Sequence, residues 1–489
     1  MTPFRSSILS GLLLAASTLA ACNDRSDDGP VVVGAIGGAP ELIDPARGEL
    51  DMPARLMLDA TAQGLVRFDA TGQIEPGIAE RWSVIDNGTS YIFRLRESEW
   101  SDGRPVTAAE VVKLLRRQIA AGSRNVLRPY LSAIDEIVEM TPAVIEIRLK
   151  RPRPDLLKLF AQPELAIFRV KPPGGSGPYR IVSQRRRNVL LRPAFDPARS
   201  PDDDAVEPSP ETNVQLIGER AARAIVRFDR READLVTGGT FADWPLVLTT
   251  QIAPINRRFD PAVGLFGLAV VNRTGVLSDA ANRAAIARTI DRAAFVAAIS
   301  PDWEPLAQLL PEQLDSAAPP AIPSWAQAPA AGNPTPQDRV ARWQAAHPGA
   351  LRLRIALPTG PGATLLYGYV GVALLSLGIT PERVALDAPA DLRLIDAVSP
   401  YDSGRWYVAT ACQPCSEAAQ TAIDAARDAD SPRMRAQQIA AADAALASDV
   451  AFIPLARPFR WSLVSVRLRT WTENSRAWHP LNHLRNAPN

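Results

Sequence analysis

Residues 91–112, YIFRLRESEWSDGRPVTAAEVV, decide how the rest of the chain is read. Tyr91, Phe93 and Leu95 alternate with Ile92, Arg94 and Arg96, the period-two pattern of a strand with one buried face. Upstream, Asp86-Asn87-Gly88 supplies residues that tolerate positive backbone angles, so Trp82 to Ile85 is expected to fold back antiparallel as a hairpin. Downstream, Ser101-Asp102-Gly103-Arg104-Pro105 reads as a turn. Thr107-Ala108-Ala109-Glu110 then has the spacing of a capping box, in which hydroxyl and carboxylate each accept the other residue's amide. Val111, Val112, Leu115 and Ile119 make one apolar helical face.

This order of hairpin, acidic-Gly-x-Pro turn and capped helix, running from Ile78-Ala79-Glu80-Arg81-Trp82 to Val112, resembles the signature of the family 5 extracellular solute-binding proteins. These are the peptide- and nickel-type receptors of ABC importers. Glu110 stands where the family usually has Asp. A second match lies at Asp279 to Arg292, where Ile286-Ala287-Arg288-Thr289-Ile290-Asp291-Arg292 resembles the family's crossover helix. Asp279 is the expected N-cap there, and Ala284, Ala287 and Ile290 form a narrow stripe suited to close packing. Weaker matches are Ile43-Asp44-Pro45, Gly174 to Val182, Gly378-Ile379 and Asp449 to Leu455.

The resemblance implies an α/β fold of the periplasmic binding protein type II kind. It has two lobes and an extra N-terminal subdomain, the three-domain cluster C arrangement. On this reading residues 31–60, 171–262 and 456–489 form lobe I, 61–170 the subdomain and 263–455 lobe II. The chain then does no chemistry. It captures an oligopeptide-like or other small, cationic solute by hinge closure and passes it to the permease and ATPase subunits of a transporter. The alternative keeps the fold as a non-transport lipoprotein sensor, chaperone or scaffold with a degenerate cleft.

Length and composition agree with several domains. The chain has 489 residues and a formal net charge of +1, with 54 basic against 53 acidic side chains. That balance leaves no electrostatic footprint for nucleic acid. Residues 1–21 read as an export signal: Arg5 precedes an apolar run from Ile8 to Ala20 that is too short for a membrane span. Leu19-Ala20-Ala21-Cys22 resembles a lipobox, which implies lipidation of Cys22, with residues 22–30 as a tether. The expected location is the periplasm, anchored to a bacterial membrane, and the expected state a monomer. Gly37-Gly38 lacks the spacing of a phosphate loop, and no Gly-x-Ser-x-Gly elbow is present.

In peptide-binding members of the family, an acidic group in a Trp-x-x-Asp-Tyr-x-Asp-Pro-x-x-Phe-Leu motif pairs with the ligand's ammonium. The corresponding stretch is Ile395 to Tyr407, in which Asp402 followed by Trp406-Tyr407 stands for Asp followed by Phe-Leu. The Trp is missing, the Pro is displaced and the segment is shorter. Asp402, Arg405, Trp406 and Tyr407 are therefore the candidate ligand-binding residues, with Arg405 a candidate partner for Asp402. The same residues also read as a solvated loop acid and core aromatics. Cys412-Gln413-Pro414-Cys415 reads as a small-loop disulfide in an oxidising compartment. A redox pair, a zinc site or free thiols are the alternatives, although His347, His479 and His483 are the chain's three histidines and Pro480 separates two of them. No metal and no cofactor is expected.

Overall fold

The computed structural model describes residues 29–194, 209–312, 314–328 and 332–485. The export signal and Cys22 lie outside the described residues, as does most of the stretch 196–212 that reads as a surface loop. The opening segment folds locally as its pattern predicts. Ala79–Ile85 and Ser90–Leu95 pair antiparallel, with Ile85 opposite Ser90. Asp86, Asn87 and Gly88 take φ of 51°, 54° and 85°. Tyr91, Phe93 and Leu95 are buried. Val144–Leu149 and Ile134–Thr141 complete a four-stranded sheet, against which helix Ala108–Ile119 lays Val111, Val112 and Leu115. The cap differs in one respect. Thr107 Oγ1 accepts the Glu110 amide at 3.4 Å, but the Glu110 carboxylate turns to the indole N–H of Trp100 at 2.9 Å. Trp100 is 1% exposed, and a buried N–H without a partner costs more than an amide that water can reach.

A seven-stranded sheet forms the first lobe, in the order Tyr179–Arg185, Asn188–Pro193, Val214–Glu219, Val31–Ile36, Leu235–Thr240, Arg460–Val464, Arg257–Asp260. Val31–Ile36 pairs parallel with both neighbours, and Val31, Val32, Val33 and Ala35 are buried, as a strand covered on both faces requires. The basic triplet Arg185 to Arg187 lies at the turn of the first hairpin.

The second sheet runs Thr380–Val384, Arg352–Ala356, Leu392–Val398, Gly264–Val270, Phe452–Ala456. Gly264–Val270 is buried along its whole length and pairs antiparallel on both sides. The edge strand Thr380–Val384 is held by parallel pairing with Arg352–Ala356. The chain crosses between the two sheets twice, from Asp260 to Gly264 and from Ala456 back to Arg460.

Three helices, Gly404–Ala411, Glu417–Asp428 and Pro432–Asp449, cover the second lobe where it meets the subdomain. Neither of the first two is among the helices expected above, where Asp402 alone reads as a solvated loop acid or a site residue. Ser403 caps one and Ser416 the other, each through a side-chain oxygen that accepts a first-turn amide. A Cβ on Gly404 would lie 2.6 Å from Ile439 Cγ2, so the glycine is what lets the first helix approach the third. One apolar core continues from Phe93 and Ile145 through Phe160 to Trp406, Val408 and Ile439, pressing this helical layer against the subdomain. Among the described residues no helix is long and apolar enough to cross a membrane.

The two later sequence matches meet in space. Arg283, 1% exposed, donates to the carbonyls of Leu277 at 2.6 Å and Asp449 at 2.6 Å, and to the Asp449 carboxylate at 2.8 Å. Asp449 also accepts Arg273 at 2.6 Å and the amide of Ser416 at 2.9 Å. Ala287 and Ile290 are buried as the stripe predicts, but the helix ends at Thr289 and Ile290 serves as its C-cap.

Candidate functional site

Asp402 follows strand Leu392–Val398 and precedes helix Gly404–Ala411, so it projects from the second lobe into the seam between lobes. Its carboxylate is held by Lys158 from helix Leu156–Phe160 and by Arg476 from the C-terminal segment. Arg476 also donates to the Ser399 carbonyl at 3.3 Å, and Gln162 to the Pro400 carbonyl at 2.7 Å. Burial pushes the Asp402 carboxyl up, but the Lys158 hydrogen bond and the Arg476 charge outweigh it and hold it below the usual carboxylate range.

The candidate partnership of Asp402 with Arg405 does not form. Helix geometry turns Arg405 away, so that it donates to the Pro129 carbonyl at 3.1 Å and sits over the Tyr130 ring, 5.6 Å from its centroid. Trp406 and Tyr407 are 5% and 1% exposed and pack edge to face at 4.9 Å inside the core. The sequence offered no sign of Lys158 or Arg476, which lie 244 and 74 residues from Asp402.

Two cavities flank Arg405 and Tyr130. The larger, about 740 Å³, lies between residues 128–134 and the helices Gly404–Ala411 and Glu417–Asp428. The smaller, about 20 Å³, is lined by Arg153, Asp155, Tyr401, Arg405 and Arg435 among others. Arg153 donates to the carbonyls of Pro152 at 2.8 Å and Arg427 at 2.6 Å. Burial, then the charges of Arg435 and Arg405, push Arg153 down to about 10.

Asp155 is pushed up to about 6 by burial and by the neighbouring Asp315 carboxylate, against the pull of Lys158 and Arg435. A carboxyl raised on folding binds its proton more tightly in the folded chain, so stability falls as pH rises from the unfolded carboxyl value toward 6. Asp155→Asn is expected to flatten that limb of a melting-temperature profile between pH 4 and 6. An unchanged slope would remove Asp155 as its source.

Cys412 and Cys415 are joined, S–S 1.95 Å, and Cys412 lines the larger cavity. The loop is pinned by Arg273 on the Pro414 carbonyl at 3.4 Å and by the Ser416 amide on Asp449. The histidines go to separate structural partners. His479 meets Asp260 at 3.1 Å, His483 meets Glu75 at 2.8 Å, and His347 meets the Trp343 carbonyl at 2.9 Å. Among the described residues no group of three His, Cys, Asp or Glu side chains could hold a metal ion.

Two α/β lobes crossed twice by the chain, with an inserted four-stranded subdomain, define the class: a periplasmic binding protein type II-like fold. The profile of the bacterial extracellular solute-binding proteins, family 5, middle region, matches residues 73–337, and the chain belongs to that family. The proteins it matches are solute-binding proteins and not enzymes. A probable deoxycholate-binding periplasmic protein of Escherichia coli (strain K12) is 38% identical over 94 residues, 19% of this chain and 17% of that protein. That stretch is about a sixth of the relative's length. Haemophilus influenzae OppA in complex with RPPGFSPFR superposes with a TM-score of 0.78 at 14% identity, covering 94% of this chain and 99% of that one. The Escherichia coli murein tripeptide binding protein MppA gives 0.77 at 16% identity over 94% and 98%, and its unliganded open form gives 0.62 at 17% identity over 94% and 95%.

Proposed function

We propose that this protein captures an oligopeptide-like or other small solute between its lobes by hinge closure and delivers it to an ABC permease. The observation that carries this reading is the pair of chain crossings between two separately built sheets, with charged groups from both sides meeting along the seam. The better superposition on MppA than on its open form supports a closed arrangement of the lobes. On the same reading the chain is a monomer in the periplasm, tethered by a lipid on Cys22, with two permease and two ATPase subunits as partners. A cationic solute would reach Asp402 by displacing Lys158 or Arg476.

That self-occupation of Asp402 favours a second reading, a lipoprotein of the same fold that no longer transports. Purification under native conditions followed by mass spectrometry separates the two. A small solute retained at near one per chain is expected. Its absence, together with an unaltered melting temperature across peptides and amines, would leave the second reading standing. A ligand at a hundredfold over its dissociation constant stabilises a protein by about 2.7 kcal/mol, well within reach of such a screen.

A further inference from the structure

We propose that the solute's seat lies between residues 128–134 and helix Gly404–Ala411, with an oxyanion of the solute, a carboxylate or phosphate, held by Arg153, Arg405 and Arg435. This rests on the solute-capture reading and deepens it by assigning the charge that the site selects.

Three guanidiniums converge on the 20 Å³ cavity, and the residues Arg405 and Arg435 are 6% and 4% exposed. Their hydrogen bonds go largely to neutral acceptors. Arg153 uses the carbonyls of Pro152 and Arg427, Arg405 that of Pro129, and Arg435 that of Pro152 at 3.2 Å. Carbonyls satisfy N–H groups but do not neutralise charge. Asp315 lies 3.3 Å from Arg435, yet it is itself engaged by the Ser403 hydroxyl at 2.9 Å and the Gly404 amide at 2.8 Å. The buried Nε of Arg153 and hydroxyl of Tyr401 have no partner within the described chain. Asp155, which lines the same space, and Asp315 set two carboxylates against the three guanidiniums, so a positive charge is left over that an oxyanion, suited to the planar fork of arginine, would compensate.

Size and continuity place the rest of the solute. A space of about 20 Å³ admits one water-sized group, while the adjoining 740 Å³ falls in the range of small-molecule sites. Tyr130 and Arg405 line both, so a single ligand can place one oxyanion oxygen in the small space beside the arginines and the rest of its body in the larger space. The seat thus differs from the neighbourhood of Asp402, which the chain fills with its own cations.

The test titrates the purified full chain with acetate, glutarate, inorganic phosphate, trialanine, trialanine amide and cadaverine at matched ionic strength, by calorimetry and thermal shift. Arg153→Gln and Arg405→Gln are compared with wild type after circular dichroism confirms folding. If Arg153→Gln does not fold, Arg405→Gln carries the readout. The expected result is a free oxyanion that binds wild type at least tenfold more tightly than either substituted protein, with trialanine amide and cadaverine weaker than trialanine. Preference for phosphate over the carboxylates would assign a phosphorylated solute to the same arginines. Cadaverine or the amide binding as tightly as the free acid, or binding that ignores both substitutions, overturns the oxyanion seat and leaves solute capture intact. Should none of the anions raise the melting temperature of wild type, the seat is likewise overturned. Solute capture falls with it only if native purification also yields no retained solute.

Discussion

An Asp449→Ala variant is expected to lose about 3–5 kcal/mol of stability in its second lobe, because it strips the carboxylate from two arginines at once. Arg283 is 1% exposed and can find no water to replace the lost oxygen, whereas Arg273 is 20% exposed at its side chain and partly rehydrates. The backbone carbonyl of residue 449 still accepts Arg283 in the variant, so the loss is of charge compensation more than of geometry. The same carboxylate anchors the Ser416 amide, which begins helix Glu417–Asp428 beside the Cys412–Cys415 loop. The variant should therefore also loosen that loop. Urea titration followed by tryptophan fluorescence measures the cost, and hydrogen exchange at residues 416–420 measures the loosening. A midpoint change worth under 1 kcal/mol would show that the cluster does not clamp the lobe.

Arg460→Met is expected to cost a similar amount, about 3–5 kcal/mol at neutral pH, and its cost should depend on pH. Arg460 lies on a strand of the first sheet and Asp396 on a strand of the second, so their 2.7 Å contact ties the lobes beside a chain crossing. Both side chains are 14% exposed. Burial raises the Asp396 carboxyl even with Arg460 present, and removing the arginine raises it further. A raised carboxyl holds its proton in the folded state after the unfolded chain has released it. The variant's deficit should then be smallest toward pH 4 and below, where the unfolded carboxyl also takes up its proton, and grow as pH rises. A deficit that is constant from pH 4 to 8 would mean that Asp396 is not left charged and unpaired. Small-angle scattering on the same samples reads whether the lobes separate once the tie is cut.

Much of the fold was legible because it is written over short distances. The 79–95 hairpin, its Asp-Asn-Gly turn and the Thr107 cap depend on alternation, on residues tolerant of positive φ and on a hydroxyl three residues from an amide. Helix Ala280–Thr289 was readable for the same reason, from its Asp279 cap. Helix Gly404–Ala411 was not, since glycine at 404 reads as a breaker until its close approach to Ile439 is seen. Helix Glu417–Asp428 went unread although Ser416 caps it and Ala419, Ala422, Ile423 and Ala426 share one helical face. Glu110 shows the converse, a local motif half overridden by a tertiary demand from Trp100.

The amino-acid order by itself determined the family and the hairpin, turn and capped helices that carry its signature, because backbone periodicity, capping and turn chemistry act between residues a few positions apart. It also marked Asp402 and Arg405 as residues of interest. Only the tertiary structure decided their company: Lys158 and Arg476 for the acid, Pro129 and Tyr130 for the base, and Arg153 and Arg435 across a cavity. Those partners lie tens to hundreds of residues away. Electrostatic pairing depends on distance in space and on exclusion of water, and neither exists until the lobes have packed.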